Sequence, residues 1–104
     1  VTIHIDLPQD EIAAFCERWN VSELALFGSV LRADFRPDSD IDMLVAFKPN
    51  TRQTLANLLA MEEELESILG RKVDLGERVS VEEDPNYLRR QQILDSTQVI
   101  YADR

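Results

Sequence analysis

Apolar and polar positions alternate in two distinct rhythms along this chain. From Asp10 to Trp19 the residues Ile12, Phe15, Cys16 and Trp19 recur at helical spacing, which predicts an amphipathic helix. Asp10 is placed to cap it, Asp10 and Glu11 sit near its positive end, and Asn20 ends it. Leu24 to Phe27 then forms a continuous apolar run of strand length, Gly28-Ser29 a tight turn, and Val30 to Phe35 a short helix stopped before Pro37. A second strand is expected over Asp40–Phe47, closed by the turn signal Lys48-Pro49-Asn50. Thr51 or Thr54 can cap a long helix whose stripe is Leu55, Leu58, Leu59, Leu65, Ile68 and Leu69, with Gly70 as its stop.

Lys72 to Leu75 reads as a third strand, and Gly76 to Asp84 as a polar, acidic loop. Pro85 suits the first turn of a last helix reaching about Asp95, with Leu88, Ile93 and Leu94 as apolar contacts. Gln98 to Tyr101 completes the pattern as an edge strand. Helices and strands alternate throughout without repeats, low-complexity tracts or linkers. The expectation is a single α/β domain over residues 1–104, a mixed sheet flanked by helices.

Composition narrows the chemistry. With 104 residues the chain supports one hydrophobic core and leaves no room for a second lobe, so a large substrate would have to be enclosed partly by another molecule. Twenty acidic against 11 basic residues give a net charge of -9, which argues against direct binding of nucleic acid through its phosphates and favours cations or a basic protein partner. A solvated acidic surface is the plainer account of the same charge. Cys16 is the single cysteine and lies on a helical apolar stripe, as a buried thiol would. His4 is the single histidine, so histidine-based catalysis and multi-histidine zinc sites have no material. No apolar stretch has the length of a signal sequence or membrane span, and a cytoplasmic protein is expected.

Polar groups interrupt the apolar pattern between Gly28 and Asp42. Side chains alternate along a strand, so Asp40 and Asp42 should share one face while Ile41, Met43, Val45 and Phe47 take the other. Burial of each of those apolar side chains, about 1.5–3 kcal/mol, fixes the register and aims the acids outward. Two carboxylates about 4 Å apart repel by about 4 kcal/mol at an effective dielectric near 20, a cost that a divalent cation offsets. An all-oxygen donor set favours Mg²⁺, with Mn²⁺ as the alternative, and Mg²⁺ commonly adds substrate phosphates to one or two carboxylates. Asp74, flanked by Val73 and Leu75, takes the face opposite to theirs. If its strand lies beside that of Asp42, three acids could hold two metal ions, the clamp used for in-line displacement at phosphorus.

Gly28 lets backbone approach a phosphate, the following N–H groups open a helix, and the Ser29 hydroxyl adds a donor. Arg32 and Arg36 can neutralise a triphosphate or departing pyrophosphate, Arg32 being better placed. Each piece has an ordinary structural reading on its own: Gly-Ser as a turn, the Asp pair as a strand end, Asp74 as an ion-pair partner of Arg71 or Lys72. Their joint placement favours function.

The segment LFGSVLRADFRPDSDIDMLV resembles the minimal nucleotidyltransferases of the DNA polymerase β-like superfamily, the antitoxin half of HEPN/MNT toxin–antitoxin pairs. The signature is Gly-Ser, ten residues, then Asp-x-Asp, met by Gly28, Ser29, Asp40 and Asp42, with Asp74 as the later acid. The likeness extends to NYLRRQQILDSTQVIYA near the C-terminus. It implies a nucleotidyltransferase core in which Asp40, Asp42 and Asp74 are the catalytic, Mg²⁺-holding acids and Gly28, Ser29 and Arg32 bind the nucleotide. It further implies a type VII-like antitoxin that transfers AMP from ATP to a tyrosine of its HEPN toxin, an RNase, with two metal ions. The competing expectations are a non-catalytic antitoxin that occludes its partner, and transfer to a small molecule or nucleic acid end.

Overall fold

A computed structural model describes residues 7–28, 40–51 and 53–103. Its centre is a four-stranded mixed sheet of β1 (Val21–Phe27), β2 (Ile41–Phe47), β3 (Val73–Glu77) and β4 (Gln98–Ala102), ordered β3-β2-β1-β4. β1 runs antiparallel to β2 and β4, whereas β2 and β3 are parallel. The parallel pair needs a crossover, which α2 (Leu55–Leu69) supplies. The remaining helices are α1 (Gln9–Arg18), α3 (Arg78–Glu82) and α4 (Tyr87–Asp95). The helix expected over Val30–Phe35 falls outside the described residues.

One face of the sheet carries the core. Ile12, Phe15 and Cys16 of α1 and Met61 and Leu65 of α2 pack on Leu24, Leu26, Ile41, Met43, Val45 and Val73. Asn20, with φ of 55°, turns the chain out of α1, and the Asn20 carbonyl then accepts from the Lys48 amide at 2.9 Å. Pro8 rather than Asp10 occupies the N-cap of α1, so Asp10 and Glu11 act through the helix dipole in the first turn. β1 starts at Val21, three residues before the expected Leu24. A register shift between Val21 and Glu23 brings Val21 and Leu24 to the same core although they are three apart, a relation that strict alternation hides.

In α2, Thr54 is the cap, its hydroxyl accepting from the Asn57 amide at 3.1 Å, and Gly70 closes the helix with φ of 69°. The buried stripe differs from the expected one. Met61 is its centre, while Leu55 and Leu59 are 74% and 53% exposed.

The expected loop over Gly76–Asp84 is instead the end of β3 followed by α3. Gly76 stays in the ladder opposite Leu44. α3 buries no residue of its own; Arg78 ties it by ion pairs to Glu23 of β1 and, one turn on, to Glu82. Because Glu23 alternates with the core-facing Leu24, this contact sets α3 on the second face of the sheet. Pro85 precedes α4, whose cap is Asn86, accepting from the Arg89 amide at 3.1 Å. Leu88 is exposed and Ile93 and Leu94 are half-buried. No described helix is long and apolar enough to cross a membrane.

Candidate active site

The core of the sheet dictates where the acids stand. Ile41, Met43 and Val73 are 0–4% exposed on the packed face, and Leu75 lies against the same cluster. Alternation therefore puts Asp42 and Asp74 on the other face. The parallel register pairs Asp42 with Asp74 directly, so the two carboxylates leave neighbouring strands side by side. Strands in a sheet are about 4.8 Å apart, a separation one ion can bridge. The ladder at this end is secured by the Ile41 amide, which donates to the Lys72 carbonyl at 2.9 Å.

Gly28 belongs to the same corner. Phe27 pairs with Asp42, and Gly28 follows it with φ of 77°. A Cβ on Gly28 would stand 2.5 Å from the Asp42 carboxylate oxygen Oδ2, so any side chain there would displace that carboxylate. Glycine thus suits the left-handed backbone and leaves the Asp42 carboxylate where it stands.

Asp40 is exposed and sits one residue before β2 rather than within it. Asp42 is half-buried and Asp74 exposed. The structure brings together Gly28, Asp42 and Asp74; among the described residues it does not close three acidic, histidine or cysteine side chains into a metal-holding group. Ser29, Arg32 and Arg36 lie outside the described residues. A cavity of about 240 Å³ lies elsewhere, at the far end of β2, lined in part by Ala46, Phe47, Arg78 and Glu82.

Two residues of the site's surroundings were not singled out in the sequence. Glu66 accepts the Val73 amide at 3.1 Å and Glu62 accepts the Leu75 amide at 3.0 Å, so α2 grips β3 on both sides of Asp74. The signal was present as two acids one helical turn apart within Glu62-Glu63-Glu64-Leu65-Glu66. Cys16 is remote from the acids in the core, and burial, followed by the neighbouring Glu17 charge, pushes its thiol up to about 12. It is no nucleophile near neutral pH.

A family model described as a nucleotidyltransferase domain matches residues 12–100. Protein adenylyltransferase MntA of Thermococcus cleftensis is 42% identical over 59 residues, 57% of this chain and 58% of that protein. The stretches matched in the curated relatives cover between 57 and 65% of those proteins' lengths. A solved structure assigned to the minimal nucleotidyltransferases is 31% identical, with a TM-score of 0.65 over 86% of each chain. The fold is also shared with a chain of a toxin–antitoxin crystal structure with AMP-PNP, at a TM-score of 0.70 and 20% identity over 94% of this chain and 76% of that one. A complex of a tri-AMPylated Shewanella oneidensis HEPN toxin with an MNT antitoxin matches at a TM-score of 0.61 and 18% identity, over 91% and 70%.

Proposed function

Because the chain belongs to the nucleotidyltransferase domain family, we propose that it is a Mg²⁺-dependent protein adenylyltransferase. Its substrates are ATP and a tyrosine of a HEPN-type toxin, and the transferred AMP silences that RNase, making the chain the antitoxin of the pair. The observation that carries this reading is the register of Asp42 against Asp74, with Gly28 packed beneath the Asp42 carboxylate. Support comes from the adenylyltransferase relative and from folds shared with chains of toxin–antitoxin complexes.

The donor set fits Mg²⁺. Two hard carboxylates leave adjacent strands on one face, and like charges so close favour a divalent cation between them. Asp42 and Asp74, with Asp40 from the segment just before β2, are the residues that would hold one or two ions. An ion held by these acids would supply charge neutralisation on the phosphates and would lower the pKa of the acceptor hydroxyl.

The chain's own groups do the rest. The backbone after Gly28 and the Ser29 hydroxyl donate to the β- and γ-phosphates, fixing the triphosphate for in-line attack. Asp74 accepts a hydrogen bond from the attacking tyrosine hydroxyl and weakens its hold on the proton. The phenolic oxygen forms a bond to the α-phosphorus as its proton passes to Asp74 and from there to solvent, the bond from that phosphorus to the bridging oxygen breaks, and pyrophosphate leaves with that bond's electron pair. Arg32 neutralises the charge gathering on pyrophosphate.

The test is transfer of α-labelled AMP to the purified toxin in the presence of Mg²⁺, read by label and by added mass. Asp42→Asn and Asp74→Asn should each lower transfer on the order of 10²-fold or more. Wild-type rates in both variants would refute the assignment.

A further inference from the structure

We propose that Glu62 and Glu66 of α2 are positioning residues for Asp74, holding β3 in the register that presents this acid beside Asp42. The role rests on the reading of Asp74 as a metal-holding carboxylate. β3 is an edge strand: β2 pairs with one side of it, and the other side presents the amides that point away from the ladder. Those of Val73 and Leu75, on either side of Asp74, donate to Glu66 Oε2 at 3.1 Å and Glu62 Oε2 at 3.0 Å.

The fit is metric. Four residues of helix advance about 6 Å and two residues of strand about 6.6 Å, so carboxylates one turn apart match alternate amides of a strand. Both glutamates are half-buried, and their bonds to backbone N–H groups are charge-assisted. Their neighbours in the acidic run behave otherwise: Glu64 pairs with Arg18 of α1, and Glu63 is exposed.

The consequence follows from strand periodicity. A slip of β3 by one residue would turn Asp74 toward the core and Val73 outward. Burial of Val73 opposes that slip from the packed face. The two glutamates oppose it from the open edge, so the strand carrying the acid is held along both sides and one face.

The experiment compares the full chain with three variants: Glu62→Ala/Glu66→Ala, Glu62→Gln/Glu66→Gln, and Asp74→Asn. Amide exchange at Val73 and Leu75 is read by NMR, and affinity for Mn²⁺ alone by electron paramagnetic resonance. The double alanine variant should speed exchange at both amides at least about tenfold and weaken Mn²⁺ binding about tenfold, the scale at which supporting contacts around metal ligands act. The double glutamine variant retains a carbonyl acceptor at each position and should stay within about threefold of wild type on both readouts. Asp74→Asn should weaken Mn²⁺ binding while leaving the two amides protected.

Wild-type Mn²⁺ affinity in the double alanine variant would overturn the proposal, as would glutamine variants that keep both amides protected yet bind Mn²⁺ as weakly as the alanine ones, which would make charge rather than strand holding the cause. Unchanged Mn²⁺ affinity in Asp74→Asn would instead remove Asp74 from the metal site, a different failure with its own signature. If the double alanine variant does not fold, Glu62→Ala alone carries the same comparison at Leu75.

Discussion

At Gly28 the backbone and a carboxylate compete for the same space. Its φ of 77° already disfavours a side chain, and a Cβ would lie 2.5 Å from Asp42 Oδ2. Gly28→Ala should therefore cost about 1–3 kcal/mol in a urea melt and lower AMP transfer disproportionately, because the strain relaxes by moving Asp42. A stable variant with full transfer would contradict the contact. The need for glycine after a strand was legible as room for a phosphate; its contact with an acid 14 positions later was not, since spacing along a chain carries no distance across a sheet. Cys16 offers a second test in the core. Its folded thiol is pushed up to about 12, above its ordinary range, so between about pH 9 and 12 the unfolded chain has lost a proton that the native chain keeps. The thiol's contribution to stability is complete below about pH 9 and falls across that window, by at most about 1.4 kcal/mol per pH unit. The stability advantage of wild type over Cys16→Ala in melts over pH 8–11 should shrink accordingly, and parallel curves would show the thiol is not shielded.

Among the elements, α2 shows what periodicity reveals and where it misleads. Leu58, Leu65, Ile68 and Leu69 do face the core, but the stripe runs through Met61, while Leu55 occupies an exposed first turn and Leu59 points away. Leucine is so common on helices that hydrophobicity alone could not separate these positions; the stripe at 58, 61, 65 and 68 does. Met61→Ala should cost about 2–5 kcal/mol, whereas Leu59→Ala should stay within about 0.5 kcal/mol, measured by paired denaturant melts. Similar costs would place the helix in another rotation. α3 was illegible for a different reason: Arg78–Glu82 buries no residue and is fixed by ion pairs to distant Glu23 and local Glu82. The extension of β3 was masked by Gly76, which reads as a breaker yet keeps its place opposite Leu44. By contrast, both acids' strands were legible from alternation, because buried Ile41, Met43 and Val73 leave Asp42 and Asp74 one available face.

Across the whole molecule, the sheet order decides which acids meet. The four strands were legible from the apolar pattern, whereas the pairing of Asp42 with Asp74 could be anticipated only as a condition, that β3 lie beside β2; the insertion of β1 between β2 and β4 rests on long-range antiparallel pairing that no local signal encodes. Net charge acts on the whole chain, and its effects on folding and on association respond to salt in opposite directions. A net charge of -9 repels itself in the folded chain and attracts a basic partner from a distance. Raising NaCl from ~50 to ~500 mM shortens the screening length from above 10 Å to below 5 Å. The free chain should then melt at a higher temperature, as self-repulsion is screened. Over the same range the association rate with the proposed toxin should fall by about tenfold or more, as steering is lost. Stopped-flow association and thermal melts in the same salt series separate these effects. An association rate indifferent to salt would mean that the acidic surface only keeps the chain soluble and that docking proceeds through uncharged contacts. A melting temperature that falls with salt would mean that attractive pairs such as Lys48 with Asp103 outweigh the excess negative charge in the fold.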